Sequence, residues 1–97
     1  MLVPHSMSAT KVGILGLGLS GMAAAHALAA AGARLWLHDD NAAPRGEVPQ
    51  GAQLCGWQDW PWDELTSMVI SPGIPHAHPQ PHPAAARAGE AGVEVIS

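Results

Sequence analysis

Phenylalanine and tyrosine are both absent from this 97-residue chain, and only Lys11, Arg34, Arg45 and Arg87 carry a fixed positive charge. Without those aromatics the apolar share is mostly Ala, Val, Leu and Ile, with four tryptophans, and such small side chains suit helices packed closely on a sheet. The four cations are scattered, so no basic stripe exists to follow a phosphate backbone, and nucleic acid is not expected as a partner. A single cysteine, Cys55, cannot close an internal disulfide, which fits a reducing, cytoplasmic setting. No apolar run approaches the ~20 residues needed to span a bilayer. The N-terminus also lacks the charged-then-apolar pattern of a signal peptide, so no membrane association is expected.

What is present reads as globular. Hydrophobic residues make up 47% of the chain and charged residues 12%, too apolar for a disordered segment. The length supports one domain, expected over 11–97. Met1 to Thr10 is expected to be a disordered leader, with Met7 as a natural start.

Lys11 to Leu15 (KVGIL) is a short apolar run ending in glycine, the pattern of a buried parallel strand. Leu19 to Ala31 follows as an alanine-dominated helix, stopped by Gly32. Leu19, Met22, Ala23, His26, Ala27 and Ala30 share one face of it, and His26 and Cys55 are expected in the core. Ala33 to His38 is a second strand closed by Asp39 and Asp40, and Asn41 to Gln50 a loop. Gln53 to Cys55 is a short third strand, and Trp57 to Leu65 a turn with one or two helical turns. Thr66 to Ile70 is a fourth strand ending at Ser71-Pro72-Gly73. After a proline- and histidine-rich loop come a helix over Pro83 to Ala91, a stop at Gly92 and a fifth strand over Val93 to Ile96. Alternating strands and helices predict an α/β, Rossmann-like three-layer domain, with a parallel five-stranded sheet and helices on both faces.

Gly16-Leu17-Gly18-Leu19-Ser20-Gly21 matches G-x-G-x-x-G where that motif has meaning, between a strand and a helix. Gly16 permits the tight turn, Gly18 lets phosphate approach the backbone, and Gly21 lets the helix pack against the sheet. First-turn amides and the helix dipole then attract an anion, with the Ser20 hydroxyl beside them. Asp39 and Asp40 follow at the distance where a carboxylate meets ribose hydroxyls or a base N–H. The Ser71-Pro72-Gly73-Ile74-Pro75 loop leaves the fourth strand on the side where ligands of open α/β sheets bind, with Gly73 permitting close approach.

Other chemistry is weakly represented. No G-x-x-x-x-G-K-[ST] phosphate loop occurs, and no Ser/His/acid or Cys/His arrangement identifies a catalytic residue. His76, His78 and His82 crowd one loop, but Pro79, Pro81 and Pro83 and the lack of a carboxylate or thiolate partner argue against a metal. Trp57, Trp60 and Trp62 are expected to pack beneath a loop rather than stack a base.

KVGILGLGLSGMAAAHALAAAGARLWLHDD, MVISPGIPHAHP and AGEAGVEVIS together resemble the N-terminal domain of the UDP-N-acetylmuramoyl-L-alanine:D-glutamate ligases (MurD). The pairing of GLGLSG with SPGIP is the most specific element. The resemblance implies a cytoplasmic, ATP- and magnesium-dependent enzyme of peptidoglycan synthesis that works through an acyl phosphate. It also implies that this first domain holds the UDP moiety of UDP-N-acetylmuramoyl-L-alanine, while ATP, magnesium and the catalytic groups belong to the remaining ligase domains. Under it Gly18, Leu19 and Ser20 lie along the diphosphate, Asp39 and Asp40 meet the uracil, and Ser71 and Gly73 close over the phosphates. Family members often carry a hydroxyl residue after the acid of the second strand. Here Asp40 takes that place, and either acid is a candidate for reading the base. Two other readings compete: the first half of an NAD-dependent oxidoreductase, with Asp39 on the adenosine ribose, and a nucleotide-sensing regulatory module.

Overall fold

The computed structural model describes residues 10–41, 43–71 and 82–97. The expected leader, except for Thr10, and the 72–81 loop with Gly73, His76 and His78 lie outside the described residues. The described residues form five strands: β1 (Lys11–Leu15), β2 (Arg34–His38), β3 (Gln53–Leu54), β4 (Ser67–Ile70) and β5 (Glu94–Ile96). The described residues also form two α-helices, α1 (Leu19–Ala30) and α2 (Pro83–Ala91), and a 3-10 turn at Trp57–Asp59. Each strand and helix lies within one residue of its expected bounds.

All the strand pairs are parallel, in the order β3-β2-β1-β4-β5. The chain leaves β1 through α1 toward β2 on one side, and β4 through α2 toward β5 on the other. Right-handed crossovers taken in opposite directions put their helices on opposite faces. Val12, Ile14, Leu35 and Leu37 accordingly pack with Met22 and Ala25 of α1. Leu15, Met68 and Ile70 pack with Ala84, Ala85 and Ala88 of α2. Both faces of β1 are covered, which explains why KVGIL is apolar without alternation.

On the α2 face the β3–β4 connection does the work of a helix. Trp60 and Trp62 are buried there, deeper than packing beneath a loop implies. A Cβ on Gly13 would stand 2.3 Å from Cζ3 of Trp60, so the indole lies directly on the central strand, where only glycine leaves room. Its Nε1–H donates to the Cys55 carbonyl at 3.3 Å, and that of Trp62 to the Trp57 carbonyl at 2.9 Å. Burial thus leaves neither indole donor unpaired. Arg87 of α2 lies 5.5 Å from the Trp62 ring, a cation–π contact.

The expected buried face of α1 is corrected. Gly21, Met22 and Ala25 point inward, with Ala24, Leu28 and Ala29 beside them. Leu19 is 74% exposed, and Ala23, His26, Ala27 and Ala30 are also exposed. His26 donates from Nε2 to the Glu47 carbonyl at 2.8 Å instead of entering the core. An alanine-rich helix is apolar all round, so its pattern cannot fix its rotation. A glycine contact fixes it: a Cβ at Gly21 would lie 1.8 Å from the Gly16 carbonyl oxygen. Cys55 is half-buried against the α2-side core, and burial followed by the nearby Asp59 charge pushes its thiol pKa up.

Gly21→Ala is expected to lower the unfolding free energy by about 3 kcal/mol, since a methyl group must displace backbone in a closed contact. Gly89→Ala, in α2 with open space around the added Cβ, is expected to raise it by about 0.5–1 kcal/mol. Urea denaturation of the two variants measures both.

Candidate functional site

In sheets of this order, ligand crevices form outside the carboxyl ends of the strands where the winding reverses. Here that point lies between β1 and β4. Gly16 leaves β1 with φ of 95°, a left-handed conformation that favours glycine. Its N–H donates to the His38 carbonyl at 2.8 Å, extending the β1–β2 ladder by one step. Leu17 is buried; its carbonyl accepts from Arg45 N–H at 2.9 Å, and its own N–H donates to Asp39 Oδ2 at 2.8 Å.

Gly18 caps α1 in an extended conformation, φ −76° and ψ −161°, and a Cβ there would meet nothing within 4 Å. Among the described residues no side chain caps α1, and its first turn contains no acid. Gly18, Leu19 and Ser20 are exposed at this positive helix end. Unoccupied first-turn amides with a favourable dipole are suited to an anion.

The two expected carboxylates part company. Asp39 is turned toward the backbone, accepting from Leu17 N–H on one oxygen and from Asn41 N–H at 2.9 Å on the other. Asp40 faces outward, between His38 Nε2 at 2.7 Å from Oδ1 and His82 Nε2 at 2.5 Å from Oδ2. The His82 hydrogen bond, then that of His38, holds the Asp40 carboxyl below its usual range against the opposing effect of burial. Ser71 hydrogen-bonds inward: its N–H reaches the Leu15 carbonyl and its Oγ–H the Gly16 carbonyl, each at 3.0 Å. Gly73 lies outside the described residues.

Beside Asp39 is a cleft of about 290 Å³ whose walls include Leu17, His38, Pro44, Leu54 and Cys55. A larger one, about 700 Å³, runs along α1 past His26 and Val48 and touches none of the expected site residues. Sequence reasoning overlooked His38 and the link from His82 to Asp40. His38 and Asp40 are two apart at a strand end, a spacing that puts side chains on one side of extended backbone, and this signal was legible. The approach of His82 depends on the fold.

A parallel sheet with a glycine turn at its reversal point defines a Rossmann-type domain. Two dehydrogenase structures share that fold. D-2-hydroxyisocaproate dehydrogenase matches with a TM-score of 0.57 and 20% identity over 75% of this chain and 22% of its own. A D-isomer specific 2-hydroxyacid dehydrogenase from Lactobacillus delbrueckii matches with 0.53 and 22%, over 72% of this chain and 22% of its own. At such identity the likeness concerns the fold alone.

The family model described as Mur ligase MurD-like, N-terminal domain, matches residues 10–97, and the chain belongs to that family. Curated relatives carry the name UDP-N-acetylmuramoylalanine–D-glutamate ligase. That of Rhodospirillum rubrum is 43% identical over 102 residues, covering 98% of this chain and 21% of the relative. Those of Rhodopseudomonas palustris and Phenylobacterium zucineum are 40% and 41% identical over 97 residues, covering 99% of this chain and 21% of each. The chain spans about a fifth of the length of these relatives. Among the described residues no helix is long and apolar enough to cross a membrane.

Because the Asp40 carboxyl is lowered in the folded chain, its contribution to stability is present above the unfolded value near 3.8 and is lost as pH falls through the folded value. Asp40→Asn is therefore expected to flatten the loss of stability between pH 5 and 2. The Asp40 side chain is 46% exposed, which limits the effect to under about 1 kcal/mol. Glu64, also held low by Lys11, leaves a residual slope. Urea midpoints across that pH range give the comparison.

Proposed function

We propose that this domain holds the UDP moiety of UDP-N-acetylmuramoyl-L-alanine in a cytoplasmic, ATP-dependent ligase that adds D-glutamate during peptidoglycan synthesis. Family membership over residues 10–97 carries this reading, and the names of the relatives support the substrate. In it the diphosphate lies along Gly18, Leu19 and Ser20, which are exposed at a helix start where a Cβ on Gly18 would meet nothing within 4 Å. Ser71 and Gly73 border the phosphates, Ser71 by bracing the glycine turn through its bond to Gly16. Asp39 fastens the turn to the end of β2, and the outward carboxylate of Asp40 accepts the uracil N3–H.

Among the described residues no group of three or more His, Cys, Asp or Glu side chains is placed to hold a metal ion. The sequence has no G-x-x-x-x-G-K-[ST], and Asp39 and Asp40 are engaged by backbone amides and imidazoles. Acyl-phosphate formation belongs to the remaining ligase domains, which act as this domain's covalent partners. The chain alone, given ATP, UDP-N-acetylmuramoyl-L-alanine and D-glutamate, is expected to release no phosphate above background, and sustained release would refute this division of labour.

Ligand choice tests the reading against a dehydrogenase half. Amide-shift titrations should show UDP binding with an affinity on the order of millimolar, since each exposed charge–dipole contact supplies only about 0.3–1 kcal/mol. Shifts should fall on Gly18 to Ser20 and Asp40 and be smaller with NAD; tighter binding of NAD at those residues would favour the oxidoreductase. Gly18→Val should abolish the UDP shifts while lowering stability by about 1 kcal/mol, the cost of a poorer helix cap. A Cβ at this position meets nothing within 4 Å, and the residue's negative φ is accessible to valine.

A further inference from the structure

His82 serves two elements with one ring. Its Nδ1 accepts from Ala84 N–H at 3.0 Å and so caps α2, a place usually taken by Ser, Thr, Asp or Asn. That bond requires a lone pair on Nδ1 and so puts the proton of the neutral ring on Nε2. Nε2–H then donates to Asp40 Oδ2 at the end of β2. The ring is held in place: its side chain is 13% exposed, and Trp57 packs edge-on at 6.2 Å and 75°. On the opposite oxygen of Asp40 stands His38 Nε2.

We propose that His82 is a positioning residue for recognition of the pyrimidine base, fixing the Asp40 carboxylate in the orientation that accepts the ring N3–H. The inference rests on the reading that Asp40 meets the base. An exposed aspartate at a strand end turns about two side-chain bonds and must be ordered on binding. With an imidazole N–H on each oxygen, the plane of the Asp40 carboxylate is set beforehand, while each oxygen retains a second lone pair. Preorganising an acceptor in this way lowers the entropy lost on association. The same ring ties the end of β2 to the start of α2, spanning the β1–β4 reversal from one wall to the other.

Two substitutions separate the cap from the carboxylate link. In His82→Asn the side-chain oxygen can cap Ala84 N–H, but the amide is too short to reach Asp40. In His82→Gln the side-chain amide reaches the former place of Nε2, but the cap is lost. UDP and inorganic pyrophosphate are titrated into the chain and both variants, with affinities read from amide shifts. His82→Asn is expected to weaken UDP about three- to tenfold, the range for one orienting hydrogen bond, and to leave pyrophosphate unchanged. His82→Gln is expected to recover UDP affinity to within about twofold.

Equal UDP affinity in wild type and His82→Asn overturns the proposal. So does a parallel loss of UDP and pyrophosphate, which marks a structural role, or a His82→Gln variant as weak as His82→Asn. Wild-type protein that binds UDP no better than pyrophosphate overturns the base-recognition reading itself, and this inference with it.

Discussion

The carbonyl oxygen of Gly16 accepts the Ser71 hydroxyl from the end of β4 while the bare Cα of Gly21 lies against it. Through the N–H of the same residue the chain is bonded to His38 of β2. Three strands and a helix are thereby referred to one peptide neighbourhood. The left-handed turn at Gly16 aims the carbonyl, and Gly21 lets α1 settle on it. The axis of α1, and with it the direction of its positive end, follows from that seating. The exposure of the helix start is thus a by-product of close packing: the glycines at 16 and 21 have tight structural roles, while a Cβ on Gly18 would meet nothing within 4 Å.

The fold alone does not separate a dehydrogenase half from a Mur ligase domain, since both use a glycine turn at a sheet reversal. Asp39 is drawn inward as a brace between Leu17 and Asn41, leaving the outward position to Asp40. Two adjacent acids thus acquire different duties from the alternation of side chains along extended backbone.

Most element boundaries could be read from the sequence because glycine and apolar runs punctuate it: Gly32 and Gly92 take positive φ just past their helices, as expected of helix stops. The rotation of α1 could not be read, because alanines on every side give no preferred face and the deciding contact lies between two glycines. Nor could the seating of Trp60, which depends on the space above Gly13 across the sheet. At the site, the glycine turn and the acid pair were legible. The sharing of Asp40 between His38 and His82 was not, since residues 42 positions apart meet only once β2 and α2 are placed.

All four tryptophans lie on the α2 side of the sheet: Trp60 and Trp62 within that core, Trp36 and Trp57 packed against it. Among the described residues the core cluster on the α1 side consists of aliphatic side chains and Met22. Intrinsic fluorescence therefore has a one-sided view of this protein. Emission follows the packing of the β3–β4 connection and α2, while loosening of the α1 layer beneath the glycine turn would be optically silent. Ultraviolet light entering the molecule is likewise absorbed almost entirely on one side of the sheet.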